Sequence, residues 1–141
     1  MPNHKINAKI AKTQKEIMDH VMVRGKVFII EQAIDWAIEF DGLDYECVLF
    51  VAYFDGKPVG AARLYKNKIG RVATLKQYRN RGVARAIMGS IETYARKKQI
   101  PLLKLHAQLY VSEVYEKLGY TPRGDIFKEA DIDHIYMEKQ M

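Results

Sequence analysis

The chain has 141 residues, is 48% hydrophobic, carries a formal net charge of +6 and holds one cysteine, Cys47. That length suits one domain of ordinary size over residues 1–141, and a lone cysteine excludes both an internal disulfide and a cysteine-based metal cluster. No run approaches the roughly 20 apolar residues of a membrane-spanning helix, and the polar start Met1-Pro2-Asn3-His4-Lys5 lacks the apolar stretch of a secretory leader, so a soluble cytoplasmic protein without a metal is expected. The charge alone would permit nucleic acid, an anionic membrane or a phosphorylated small ligand as partner. The lysines are dispersed, however, and the concentrated basic feature is Arg79, Arg81 and Arg85.

Lys5 to Ile10 predicts a short strand. Ile17, Val21, Arg24 and Phe28 then recur at helical spacing behind Thr13, an N-cap with Glu16 three residues on. Glu31 to Asp44 is acidic and irregular, with Trp36 and Phe40 as its expected anchors. Cys47 to Phe54 and Lys57 to Tyr65 are apolar runs joined by Asp55-Gly56, a hairpin signal because both residues tolerate positive φ. A second turn at Lys66-Asn67 leads to a strand from Lys68 to Leu75, giving a three-stranded antiparallel meander. Gly82 to Lys98 has helical period, with Ala84, Ile87, Met88, Ile91 and Ala95 on one face and Glu92 off it. Leu102 to Ala107 reads as a strand, Val111 to Leu118 as a short helix ended by Gly119, and two strands follow near Tyr120 to Phe127 and His134 to Lys139. This order predicts an α/β sandwich on a mixed sheet.

The turn between the third meander strand and the long helix carries the chemistry. The first amides of a helix lack intrahelical acceptors and lie at the positive end of its dipole, so an anion placed there collects several N–H bonds. Gly82 removes a Cβ that would hold a phosphate off the backbone, Ala84 is the next smallest choice, and Arg79, Arg81 and Arg85 can add charge-assisted bonds. Asn80 and Val83 offer backbone amides.

Arg79-Asn80-Arg81-Gly82-Val83-Ala84 resembles the pyrophosphate signature of the GNAT superfamily of N-acetyltransferases: Gln or Arg, two residues, Gly, one residue, then Gly or Ala. Tyr115-Glu116-Lys117-Leu118-Gly119-Tyr120 resembles the family's second signature, a Tyr followed four residues later by Gly and an aromatic. The resemblance covers about residues 5 to 139. Arg24, Val27-Phe28, Glu31-Gln32, Asp41, Asp44, Ala107-Gln108 and His134 are similar to a small bacterial branch of that family. The resemblance implies a GNAT-like fold, with a mostly antiparallel twisted sheet splayed at the cofactor site. It implies acetyl-CoA as co-substrate, held by Ala73, Thr74 and Leu75 on the central strand and by Arg79, Asn80, Arg81, Gly82, Val83, Ala84 and Arg85 at the turn. The implied reaction is direct attack of an amine, on a small molecule or a peptide, upon the acetyl thioester. Backbone N–H near Thr74 would polarise its carbonyl, and Tyr115 would return a proton to the thiolate as general acid.

In one respect the chain departs from the family. Ile69-Gly70-Arg71-Val72-Ala73 contains no carboxylate, whereas many family members carry a Glu there as general base. Glu31, Asp41, Asp44, His106 and His134 are the candidates left, with a water chain as the alternative to any of them. A homodimer is a further implication. Related alternatives are an acyl-homoserine lactone synthase, suggested by Arg24, Phe28, Trp36, Asp41 and Asp44, and a non-catalytic CoA sensor. Neither zinc-ligand spacing nor an aromatic-basic strand pattern supports a nucleic-acid module.

Overall fold

The computed structural model describes residues 5–141. Its frame is one seven-stranded sheet: β1 (Ile6–Ile10), β2 (Val48–Phe54), β3 (Lys57–Tyr65), β4 (Lys68–Thr74), β5 (Leu102–Gln108), β6 (Thr121–Glu129) and β7 (Ile132–Gln140), ordered β1-β2-β3-β4-β5-β7-β6. All neighbours pair antiparallel except β4 and β5, which run parallel and share only Lys68↔Lys104 and Ile69↔Leu105. The helices are α1 (Gln14–Arg24), α2 (Trp36–Glu39), α3 (Val83–Lys97) and α4 (Ser112–Lys117). The expected α/β sandwich and mixed, mostly antiparallel sheet are thus present.

Local chemistry explains most boundaries. Thr13 and Glu16 form a reciprocal capping box, each side chain bonding the other's backbone N–H. Asp55-Gly56 turns the first hairpin with φ of 49° and 84°, the left-handed pair that matches strand twist.

Two apolar layers sandwich the sheet. Ile87, Met88, Ile91 and Ala95 of α3 pack with Phe50, Ala52, Leu64, Leu103, Leu105 and Tyr115 on one face. Val23, Val27 and Phe28 pack with Ala61 and Ala73 on the other. Gly60 sets how closely α3 approaches: a Cβ there would lie 2.6 Å from Ile87 Cδ1 and 2.7 Å from Val83 Cγ1, so a side chain would push the first turn of α3 off the sheet.

Three expectations are corrected. The amino-terminal helix widens after Arg24 into a π-helix, Gly25–Glu31, closed by Gln32 N–H bonding the Val27 carbonyl. Its buried face is His20, Val23, Arg24, Val27 and Phe28, while Ile17 is exposed. Trp36 is no anchor; it is 67% exposed, and Glu39 is the residue of that segment that goes inside. Glu92 is buried on α3, where its carboxylate accepts from the Tyr120 hydroxyl at 3.0 Å and the Lys139 ammonium at 3.0 Å.

Candidate active site

Past Ile69 and Leu105, β4 and β5 diverge, and a cleft of about 870 Å³ runs into the gap between them. The divergence has a local cause on β4. The β3–β4 register passes from Ala61↔Ala73 to Arg63↔Gly70, so Arg71 and Val72 together oppose Ala62. Arg71 takes a φ of 53° at this bulge, which bends the strand and sharpens its twist. Beyond it, Leu75 N–H bonds the Val59 carbonyl at 2.9 Å. By the alternation of an antiparallel ladder the Thr74 peptide then faces the opposite edge, where its carbonyl accepts from Arg79 Nε at 3.0 Å.

The turn into α3 lies against the same gap. Asn80 and Gly82 adopt φ of 63° and 88°, and Gly82 caps α3 without any side-chain hydrogen bond. The first intrahelical bond is Ala86 N–H to the Gly82 carbonyl, so the N–H groups of Val83, Ala84 and Arg85 precede the ladder. Two left-handed residues and these amides make a concave, positively polarised surface.

Of the expected site residues, Thr74, Arg79, Asn80, Gly82, Val83, Ala84, Arg85 and Tyr115 line the cleft. Three do not. The Ala73 methyl is buried against α1 and the π-helix, and Leu75 packs between the two apolar layers. Arg81 lies over the rings of Phe54 and Tyr78, 5.8 and 5.6 Å from their centroids. Arg79 lines the cleft with its guanidinium already engaged: Glu31 accepts both terminal nitrogens, at 2.7 and 2.6 Å, and this pairing holds the Glu31 carboxyl below its usual range. The next residue, Gln32, exchanges two amide hydrogen bonds of 3.0 Å with Gln108 of β5. Glu31 and Gln32 therefore tie the end of the π-helix to both lips of the splay. Tyr115 is buried, and burial, with Tyr110 nearby, pushes its phenol far above the ordinary value. It is a group that stays protonated unless a strong base forms beside it.

Deeper on the α1 side, three arginines and three carboxylates close a ring. Arg24 meets Glu39 at 2.8 Å, Glu39 meets Arg71 at 3.2 Å, and Arg71 meets Asp41 at 3.3 Å. Asp41 meets Arg63 at 2.9 Å, Arg63 meets Asp44 at 3.1 Å, and Asp44 returns to Arg24 at 2.7 Å. Arg24 is 0% exposed and rests on the Phe40 ring. Burial pushes the Glu39 carboxyl up despite two adjoining guanidiniums, whereas the Arg63 hydrogen bond holds Asp41 far down. His20 sits beneath the ring. Its Nδ1 lies 2.8 Å from the Phe50 carbonyl and its Nε2 3.0 Å from Arg24 Nη1. A guanidinium only donates, so Nε2 accepts and Nδ1–H donates, which makes the ring neutral. Burial accordingly depresses its pKa to about 4.

This arrangement commits Glu31, Asp41 and Asp44, three of the base candidates, to ion pairs. Glu39, Arg63 and Arg71 escaped sequence reasoning, and Gln32 entered it only as part of the branch pattern. Only the irregular acidic stretch hinted that its charges had partners, and those partners lie on strands distant in the chain.

A splayed parallel pair, a left-handed turn whose amides precede the helical ladder and a buried tyrosine thus meet at one cleft. The sequence model of the acetyltransferase (GNAT) domain matches residues 12–141, and the chain belongs to that acetyltransferase family. It is 32% identical to YyaT of Bacillus subtilis, over 96% of this chain and 97% of that protein. It is 34% identical to the uncharacterized N-acetyltransferase YjcF of the same organism, over 95% and 99%. An acyl-CoA N-acyltransferase from Pseudomonas aeruginosa superposes with a TM-score of 0.80 at 26% identity, covering 97% of this chain and 99% of that one. Among the described residues no helix is long and apolar enough to cross a membrane.

Proposed function

We propose that the protein is an N-acetyltransferase that moves the acetyl group of acetyl-CoA directly onto an amine of a small molecule or a peptide. It acts as one domain over residues 1–141, within the branch carrying Arg24, Val27-Phe28 and Glu31-Gln32. The observation that carries the reading is the set of amides at Val83, Ala84 and Arg85, ahead of the helical ladder and bordering the cleft. They hold the pyrophosphate, aided by Arg85, while the edge of β4 near Thr74 takes the pantetheine arm and polarises the thioester carbonyl. Arg79 contributes by ordering this edge through Glu31 and the Thr74 carbonyl. Tyr115 gives its proton to the departing thiolate.

Acetyl-CoA should raise the melting temperature, because a ligand of the native state stabilises it by mass action; DNA and RNA should not. No shift at saturating acetyl-CoA would end the reading. Tyr115→Phe should lower kcat by about 10²-fold or more and leave the acetyl-CoA shift in place. The second reading, a CoA sensor without transfer, draws on the missing β4 carboxylate, and acetyl-CoA binding without CoA release to any amine would favour it.

A further inference from the structure

β5 turns Leu103, Leu105 and Ala107 into the α3 layer, so Lys104, His106 and Gln108 face the opposite side of the sheet. The last β4–β5 pair is Ile69↔Leu105, and the next residues in that register are Gly70 and His106. His106 therefore stands where the strands part, across from a residue with no side chain, on the strand that lacks a carboxylate. Phe127 meets its ring edge-on at 5.0 Å between centroids, and Tyr136 flanks it at 6.1 Å. Glu129 Oε1 lies 2.6 Å from its Nδ1. Glu129 is the last residue of β6, set by the tight turn Ala130-Asp131 with φ of 49° and 61°. Its other oxygen is 3.9 Å from His134 Nε2, while His134 Nδ1 lies 2.7 Å from the Ile132 carbonyl, to which it donates.

A carboxylate only accepts, so the short contact places a proton on Nδ1 of His106, and in the neutral ring the lone pair is then on Nε2. No hydrogen bond among the described residues engages that Nε2, and His106 borders the cleft with 27% of its side chain exposed. His134 differs: it is 7% exposed, and both its nitrogens face protein groups. With Glu31, Asp41 and Asp44 held in ion pairs, His106 alone combines a free lone pair, an orienting carboxylate and access to the gap.

We propose that His106 Nε2 is the base that takes the proton from the attacking amine. Glu129 is the positioning residue that fixes the ring and offsets the imidazolium charge. The assignment rests on the acetyl-transfer reading. The amine nitrogen forms a bond to the acetyl carbon, and the carbon–sulfur bond breaks with its electron pair going to sulfur. The N–H proton passes to His106, and the thiolate takes a proton from Tyr115; exchange with water then returns both groups to their starting states. Because Tyr115 packs in the α3 layer and His106 faces the other way, the amine loses its proton on one face of the sheet and sulfur gains a different one on the opposite face.

The test uses the full chain with acetyl-CoA and four primary amines, ethanolamine, glucosamine, spermidine and lysine, read by CoA release beside the acetyl-CoA melting shift. His106→Gln should lower kcat about 10²–10⁴-fold with the melting shift unchanged. Free imidazole should restore turnover to folded His106→Ala. Glu129→Gln should lose most of kcat, and Glu129→Asp should recover part of it, a recovery that a merely structural role would not require. Unchanged turnover in His106→Gln, or failure of imidazole rescue, overturns the assignment. So does a wild-type protein that shows the melting shift yet acetylates none of the amines. Absence of the melting shift itself removes the acetyl-transfer reading beneath it.

Discussion

The ion ring around Arg24 and the turn around Gly82 are both arginine-rich, yet they end in opposite states. In the ring, each guanidinium has found its carboxylates inside the protein, and six ion pairs close on themselves. At the turn, the amides of Val83, Ala84 and Arg85 precede the helical ladder and Gly82 supplies no capping side chain. A positive cluster whose partners are internal is architecture, and one whose donors are left over is open to water or to a ligand. Arg79 belongs to the first kind although it sits within the second, since Glu31 occupies it.

That contrast can be broken most forcefully at Arg24. Arg24→Met leaves Glu39 and Asp44 without a shared cation in a buried site, which should cost about 3–5 kcal/mol in chemical denaturation while acetyl-CoA affinity of the folded fraction holds. The next effect is in pH. His20 is neutral in the fold with a pKa of about 4 against 6.5 when free, so the unfolded chain binds more protons between those values. Stability contributed by neutral His20 is complete above pH 6.5 and is lost as pH falls toward 4, by roughly 3 kcal/mol in all. Denaturation midpoints across that window should show the slope, and His20→Gln should flatten it.

At the open region, Gly82→Ala forces a Cβ into the left-handed conformation seen there. A loss of about 1–2 kcal/mol is expected, together with weaker acetyl-CoA binding by calorimetry, the reverse of the Arg24→Met pattern. The smallest effect belongs to Glu31→Gln. That pair is a third exposed on both sides, so stability should fall by no more than about 1 kcal/mol, and a larger drop would mean the lips of the cleft depend on it.

The open region was the more legible in sequence. Gly82 and Ala84 mark the turn by what they lack, and α3 announces itself by period, so both the element and its exposed amides follow from local rules. The ring was not legible, because its members come from four distant segments and only the fold brings Arg63 and Arg71 to Glu39 and Asp41. Glu92 read as a surface charge, and for Glu39 the acidic stretch hinted at partners without showing that the side chain is buried. The π-helix was hidden for a related reason. Gly25 to Ile30 fits an α-helical pattern as well, and the wider turn reflects where Val27 and Phe28 must pack rather than any local preference. The resting place of Arg81 was not legible either, because the rings of Phe54 and Tyr78 that it lies over come together only in the fold.

The closure of the ring also limits how this chain can drift. Each carboxylate is shared between two arginines and each arginine between two carboxylates, so a substitution that removes one charge strands neighbours on both sides. Tolerated variation in the loop over the cleft must therefore arrive as paired exchanges of opposite sign. The turn at Gly82 carries no such reciprocity: its donors answer to no side chain of the protein, and what restrains change there is the left-handed backbone itself.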